Sequence, residues 1–316
     1  MKFRTEITIP KKQTVQIDYR SGIVLFGSCF TENIEKHLNY FKFKNTSNSH
    51  GILFNPKSIE RAIQDCVDQK VYTQNDLDYF NDIWFSFNHH TRFSSIYLTK
   101  ILQQINDSIS IAHKALTNAS HLIITLGTSW VYRNKATEDL VANCHKIPQR
   151  NFKKEIISID ENTAILEKIV KHIRRINKNV LIIFTVSPVR HLKDGFVENT
   201  QSKANLHTAI HRIIDEKSIH YFPSFEIMID DLRDYRFYKN DLLHPNEMAM
   251  EYIWEKFKNT WMSPGSFALM KEINGVQKSL LHKPFREDSK QHKEFLKNLY
   301  DKMKNISDKY DHIQFK

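Results

Sequence analysis

The stretch NDLLHPNE, residues 240–247, sets an acid and an imidazole three residues apart, Asp241 and His244, just ahead of a helical pattern. From one loop the carboxylate can reach the ring, fix its tautomer and stabilise its charged form. Such a pair needs a nucleophile. The stretch GIVLFGSCFTENI, residues 22–34, offers two, because an apolar strand pattern ends at Gly27 and passes directly into Ser28 and Cys29. Alone, each motif is weak: a serine at a strand-to-helix turn and an aspartate ahead of a helix are both ordinary cap residues. Their joint placement, each on the carboxyl edge of one strand-helix array, points to acyl transfer. Ser28 is expected to expose its hydroxyl above the sheet, while Cys29 turns into the sheet-helix interface, as buried cysteines commonly do.

The elements that must position these groups alternate. GIVLFGS (22–28), HLIITLGT (121–128), VLIIFTVSP (180–188) and the weaker IHYFPS (219–224) are short, β-branched-rich runs closed by turn signals, the pattern of strands buried on both faces. FKFKN (41–45) is the fifth and weakest strand. Helical periodicity runs over about 31–40, 56–69, 98–118, 161–177, 200–217 and 246–261. Strand and helix in alternation predict an open, mostly parallel five-stranded sheet between two helical layers, a three-layer α/β/α sandwich, with ligands beyond the carboxyl ends of the strands. Those ends carry Gly27-Ser28-Cys29, Gly127-Thr128-Ser129 and Ser187 to His191.

Two excursions leave that rhythm. Residues 70–97 are rich in aromatics and contain Trp84 with the adjacent His89 and His90, and residues 129–160 contain Asn143, Cys144 and His145. Long loops in a compact domain are commonly functional, so both are expected to roof the site, with Trp84 and the NHH segment bordering the Ser28 pocket and His145 as a wall. Neighbouring histidines point in different directions, which argues against a shared metal. Arg190 and His191 are placed to grip a carboxylate or phosphate of a substrate, the alternative being a salt bridge that tethers a loop. From Pro264 onward the chain reads as a helical extension, with Phe295, Leu296, Leu299, Met303 and Ile306 on one stripe. The division is therefore 1–263 and 264–316, the second packed on the first.

Composition bounds the rest. The chain has 316 residues and 46 Lys plus Arg against 36 Asp plus Glu, a net charge of +10. Much of the lysine is interleaved with acids near the C-terminus, and no recognition motif accompanies it, so nucleic acid is not an expected partner. No apolar run approaches the ~20 residues of a membrane span, and membrane insertion is not expected. With Cys29, Cys66 and Cys144 too scattered for a disulfide framework or a CxxC zinc site, the expected compartment is the cytoplasm, with no cofactor or metal.

The sequence resembles the GSCFA family through Gly27-Ser28-Cys29-Phe30, with Thr31 in place of the alanine. The likeness continues through GILFNP (51–56), NHH (88–90), LIITLGTSWVY (122–132), VANCHK (141–146), FTVSPVRHLKDG (184–195), DYRFY (234–238) and DLLHPNEMA (241–249). That family in turn resembles the SGNH (GDSL-like) hydrolases, whose sheet is flavodoxin-like with order 2-1-3-4-5. The resemblance implies Ser28 as nucleophile, His244 as general base and Asp241 as its orienter. It also implies an oxyanion hole from the Ser28 N–H, Gly51 and a third donor. That donor is an asparagine in SGNH enzymes; here Ser129 stands in its place, with Asn143 as the alternative. A small-molecule or glycan ester is the implied substrate, and a catalytically silent carbohydrate or acyl-group binding protein is the competing reading.

Overall fold

The computed structural model describes residues 5–12, 14–215 and 217–315. Its centre is a parallel sheet of β1 (Ile23–Gly27), β2 (Asn45–Ser47), β6 (His121–Leu126), β10 (Leu181–Val186) and β11 (Ile219–Tyr221), in the order β2-β1-β6-β10-β11. Numbered along the chain this is 2-1-3-4-5, and every pairing is parallel. The fold is the expected α/β sandwich. The fifth strand is displaced from FKFKN: Phe41 caps the preceding helix, Phe43 is buried in the turn, and pairing with β1 begins only at Asn45.

Side-chain alternation along each strand assigns the two faces. Ile23, Leu25, Ile123, Leu181 and Ile183 join one core with α1 (Cys29–Tyr40) and α7 (Glu247–Trp261), where Trp254, Phe257 and Trp261 are fully buried. Val24, Phe26, Leu122, Ile124, Ile182 and Phe184 join the other with α2 (Pro56–Val67), α3 (Leu98–Asn118), α4 (Ile159–Ile176) and α5 (Phe196–Ile213). A single turn, α6 (Ser224–Glu226), follows β11. The C-terminal helices α8 (Pro264–Leu280) and α9 (Lys290–Lys309) bury Met270, Ile273, Val276, Leu299 and Ile306 in the same core as α1 and α7. Phe295 and Met303 are half-buried against it, but Leu296, expected on that stripe, is exposed. No helix among the described residues is long and apolar enough to cross a membrane.

Both excursions are structured. The first holds the antiparallel strands β3 (Asp78–Phe80), β4 (Ile83–Phe85) and β5 (Ser94–Ser95), and the second holds β7 (Trp130–Asn134), β8 (Leu140–Val141) and β9 (Phe152–Ile156). Tyr72 and Phe93 close a small core of their own with Ile101, Ile105 and Ile109 of α3.

The carboxyl end of β1 depends on Gly27, whose φ of 141° only glycine adopts readily, and where a Cβ would run into the Thr125 carbonyl of β6. Gly27→Ala is therefore expected to destabilise the protein by roughly 3 kcal/mol or more, read as a lower urea midpoint at unchanged slope.

Candidate active site

Asp241 and His244 lie in the loop ahead of α7, with Oδ2 of Asp241 2.8 Å from Nδ1 of His244. The other carboxylate oxygen accepts the backbone N–H groups of Leu243 (2.8 Å) and His244 (3.0 Å). Those N–H groups, His244 first, with the imidazole beside them, hold the Asp241 carboxyl down to about 2. It therefore stays an acceptor at neutral pH, so the facing Nδ1 must carry the proton and Nε2 remains the basic nitrogen. Arg190 secures the loop. Its N–H donates to the Leu243 carbonyl at 3.1 Å and its guanidinium to that of Leu242 at 3.4 Å, while Phe196, Tyr235 and Tyr238 surround it at 5.5–5.9 Å. The tether foreseen as a salt bridge is made of carbonyls and rings.

Ser28 is the N-cap of α1, and helix geometry reverses the expected exposure of the two nucleophiles. The Ser28 side chain is completely buried, and its hydroxyl has no hydrogen-bond partner among the described residues, so its bond to His244 is not formed in this conformation. Cys29, at the first helical position, is only partly buried and belongs to neither core. Burial is the chief influence and raises the thiol above its ordinary value, Glu32 adds to this, and Lys203 opposes it.

Lys203 carried no signal in the sequence. It sits inside α5, fully buried, and its ammonium donates to the carbonyls of Gly127 (2.8 Å) and Ser187 (2.7 Å), the first residues beyond β6 and β10. Burial lowers it to about 7. Burial first of all, with Lys203 and then His244 adding to it, pushes His191 down to about 3. His191 is thus a neutral ring, with a buried Nε2 that has no partner among the described residues. Lys203 is within electrostatic reach of Cys29 and of His191, and His191 of His244.

The expected oxyanion donors are occupied elsewhere. The Ser28 N–H donates to the Thr125 carbonyl at 3.2 Å and the Gly51 N–H to the Asn48 carbonyl at 2.8 Å. Ser129 is fully buried, its hydroxyl donating to the Ser202 carbonyl and accepting from the Asn162 amide. Asn143 turns its Oδ1 to the His145 N–H. Asn48, which sequence reasoning passed over, accepts the Gly27 N–H on Oδ1 at 2.9 Å and keeps a buried Nδ2 with no partner among the described residues.

A cleft of about 460 Å³ opens beside this edge, lined by Phe54, Thr128, Trp130, Tyr132, Asn143 and His191 among others. The second excursion, not the first, supplies its aromatic walls. Trp84 packs on Tyr79 and the small core around Tyr72, outside the cleft lining. His89 is fully buried between His50 and Tyr72, where burial pushes it well below its ordinary value. His145 stacks on Phe85 and directs Nε2 at the carbonyls of Ser86 and His89, bracing the first excursion against the second. His90 is half-buried over Gly51, beside Arg92 and Glu32.

A family profile described as the GSCFA family matches residues 22–257, and one described as the GSCFA domain protein, C-terminal domain, matches residues 273–316. The chain belongs to the GSCFA family. A solved structure described as "a putative platelet activating factor from Streptococcus pneumonia" aligns at 12% identity and a TM-score of 0.37, over 75% of this chain and 83% of that one. No curated protein matches. In this GSCFA chain the family motif spans the end of β1 and the start of α1, and it brings Cys29, not Ser28, to accessible surface.

Lys203 gives a stability test. Its folded value of about 7 lies below the ordinary 10.5, so between these limits the unfolded chain binds the extra proton and stability rises with pH. From pH 7 to pH 9 the wild type should gain roughly 2 kcal/mol on Lys203→Met in urea unfolding.

Proposed function

We propose that this GSCFA protein is a hydrolase of ester bonds that removes acetyl or short acyl groups from a carbohydrate or related small substrate. The observation that carries the reading is the Asp241–His244 pair at 2.8 Å, on the same carboxyl edge as the nucleophile-bearing turn at Ser28 and Cys29. Asp241 holds the imidazole, His244 takes the nucleophile's proton and returns it to the leaving alcohol, and the acyl-enzyme is then opened by water. Phe54, Trp130 and Tyr132 along the cleft suit the faces of sugar rings, which supports a glycan ester.

The buried, unpartnered Ser28 hydroxyl favours the competing reading, an acyl-group binding protein without turnover. One experiment separates them. With a panel of p-nitrophenyl esters of increasing chain length, the hydrolase reading expects activity highest at the shortest acyl groups and a loss of about 10³-fold or more in His244→Ala with the fold retained. Hydrolysis equal in wild type and His244→Ala would support binding alone.

A further inference from the structure

We propose that Cys29, rather than Ser28, is the nucleophile of this site, and that the buried ammonium of Lys203 assists it. The inference rests on the ester-hydrolase reading above and deepens it. Ser28 is fully buried beneath the turn, whereas Cys29, at the first position of α1, is only partly buried. Cys29 opens α1, and the unpaired N–H groups of a helix's first turn are where an anion is favoured. A second and independent observation marks the place. Lys203 is fully buried, and the bonds to Gly127 and Ser187 use two of its three donors. Its charge and the Cys29 thiol act on one another, and His191 links it to His244. Ser28 then has the plain role of the extended N-cap residue that closes β1 onto α1.

The step balances as follows. His244 Nε2 takes the Cys29 proton, the thiolate attacks the ester carbonyl carbon, and a C–S bond forms as the carbonyl π pair moves onto oxygen. The tetrahedral anion collapses, the ester C–O bond breaks, and the alcohol leaves with the proton from His244. Water, giving a proton to His244, adds to the thioester; the C–S bond breaks and the thiol is restored. Ester and water become acid and alcohol with no other reactant. Lys203 acts through the thiolate and is a positioning residue.

The test traps the intermediate. Wild type, Ser28→Ala, Cys29→Ala and Cys29→Ser are incubated with p-nitrophenyl acetate, quenched in acid and mapped by peptide mass, with neutral hydroxylamine to distinguish a thioester from an oxyester. The expected result is a hydroxylamine-labile acetyl group on Cys29 in wild type and Ser28→Ala. Cys29→Ala should lose about 10³-fold in kcat/KM and Ser28→Ala less than ~10-fold. An acetyl group on Ser28, or turnover retained in Cys29→Ala, overturns the proposal. Activity unchanged in every variant and in His244→Ala would instead sink the hydrolase reading itself.

Lys203 has a readout that needs no turnover, the pH dependence of Cys29 alkylation by iodoacetamide. Lys203→Gln keeps two donors for the two carbonyls and removes the charge, so Cys29 alkylation at neutral pH should slow several-fold. Lys203→Arg, whose charge does not titrate, should shift the Cys29 profile to lower pH than in wild type. If either variant folds and its profile superposes on the wild type, the assignment to Lys203 fails. If neither folds, the wild-type rate decides: alkylation of Cys29 slower than that of Cys144 across the neutral range contradicts an assisting cation.

Discussion

The ammonium of Lys203 is fully buried, and the carboxyl edge of the sheet is organised around it. Taking an ion out of water costs several kcal/mol, and each charge-assisted bond to a carbonyl returns about 1.5–3 kcal/mol, so Gly127 and Ser187 together come close to offsetting it. The compensation is incomplete, which is why the group loses its proton so readily. What the arrangement gains is geometry. Two adjacent strand ends are fixed to one atom of α5, a helix on the face opposite α1, so that the loops carrying His191 and Thr128 have a common anchor.

From that anchor the rest follows by contact. Ser202, the neighbour of Lys203, accepts the Ser129 N–H and pairs with the Thr128 hydroxyl, which turns β7 and its aromatic residues over the cleft. His191, kept neutral by burial with Lys203 and His244 adding to it, stands between the anchor and the Asp241–His244 loop. Arg190 next to it holds that loop through Leu242 and Leu243. The Asp241–His244 pair is itself exposed, with side chains about four-tenths accessible, so its orientation depends on this tether more than on packing.

The sheet was legible because strands buried on both faces must be continuous apolar runs, and β1, β6 and β10 are. β2 was misplaced because Phe43 is apolar for a turn, not a strand. Asp241 and His244 were legible because both ends of the interaction lie in one loop. Lys203 was not: a lysine in mid-helix reads as solvated surface, and only tertiary packing buries it. The aromatics of residues 70–97 misled for the opposite reason, since they form a small core with α3. The order of Ser28 and Cys29 was legible and their exposure was not, because exposure turns on which residue caps α1 and which begins it.

A double-mutant cycle tests most directly whether the β1–α1 turn and the Asp241–His244 loop form one centre. Cys29→Ala, His244→Ala and the double variant would be compared with wild type by kcat/KM on a short-chain ester, with each variant's fold checked by its melting temperature. Residues that act as a unit are strongly non-additive, so the double variant is predicted to lose no more than about tenfold beyond the worse single variant. Losses that multiply, each single effect appearing in full on the background of the other, would mean that the two elements work independently and would contradict a shared acyl-transfer site.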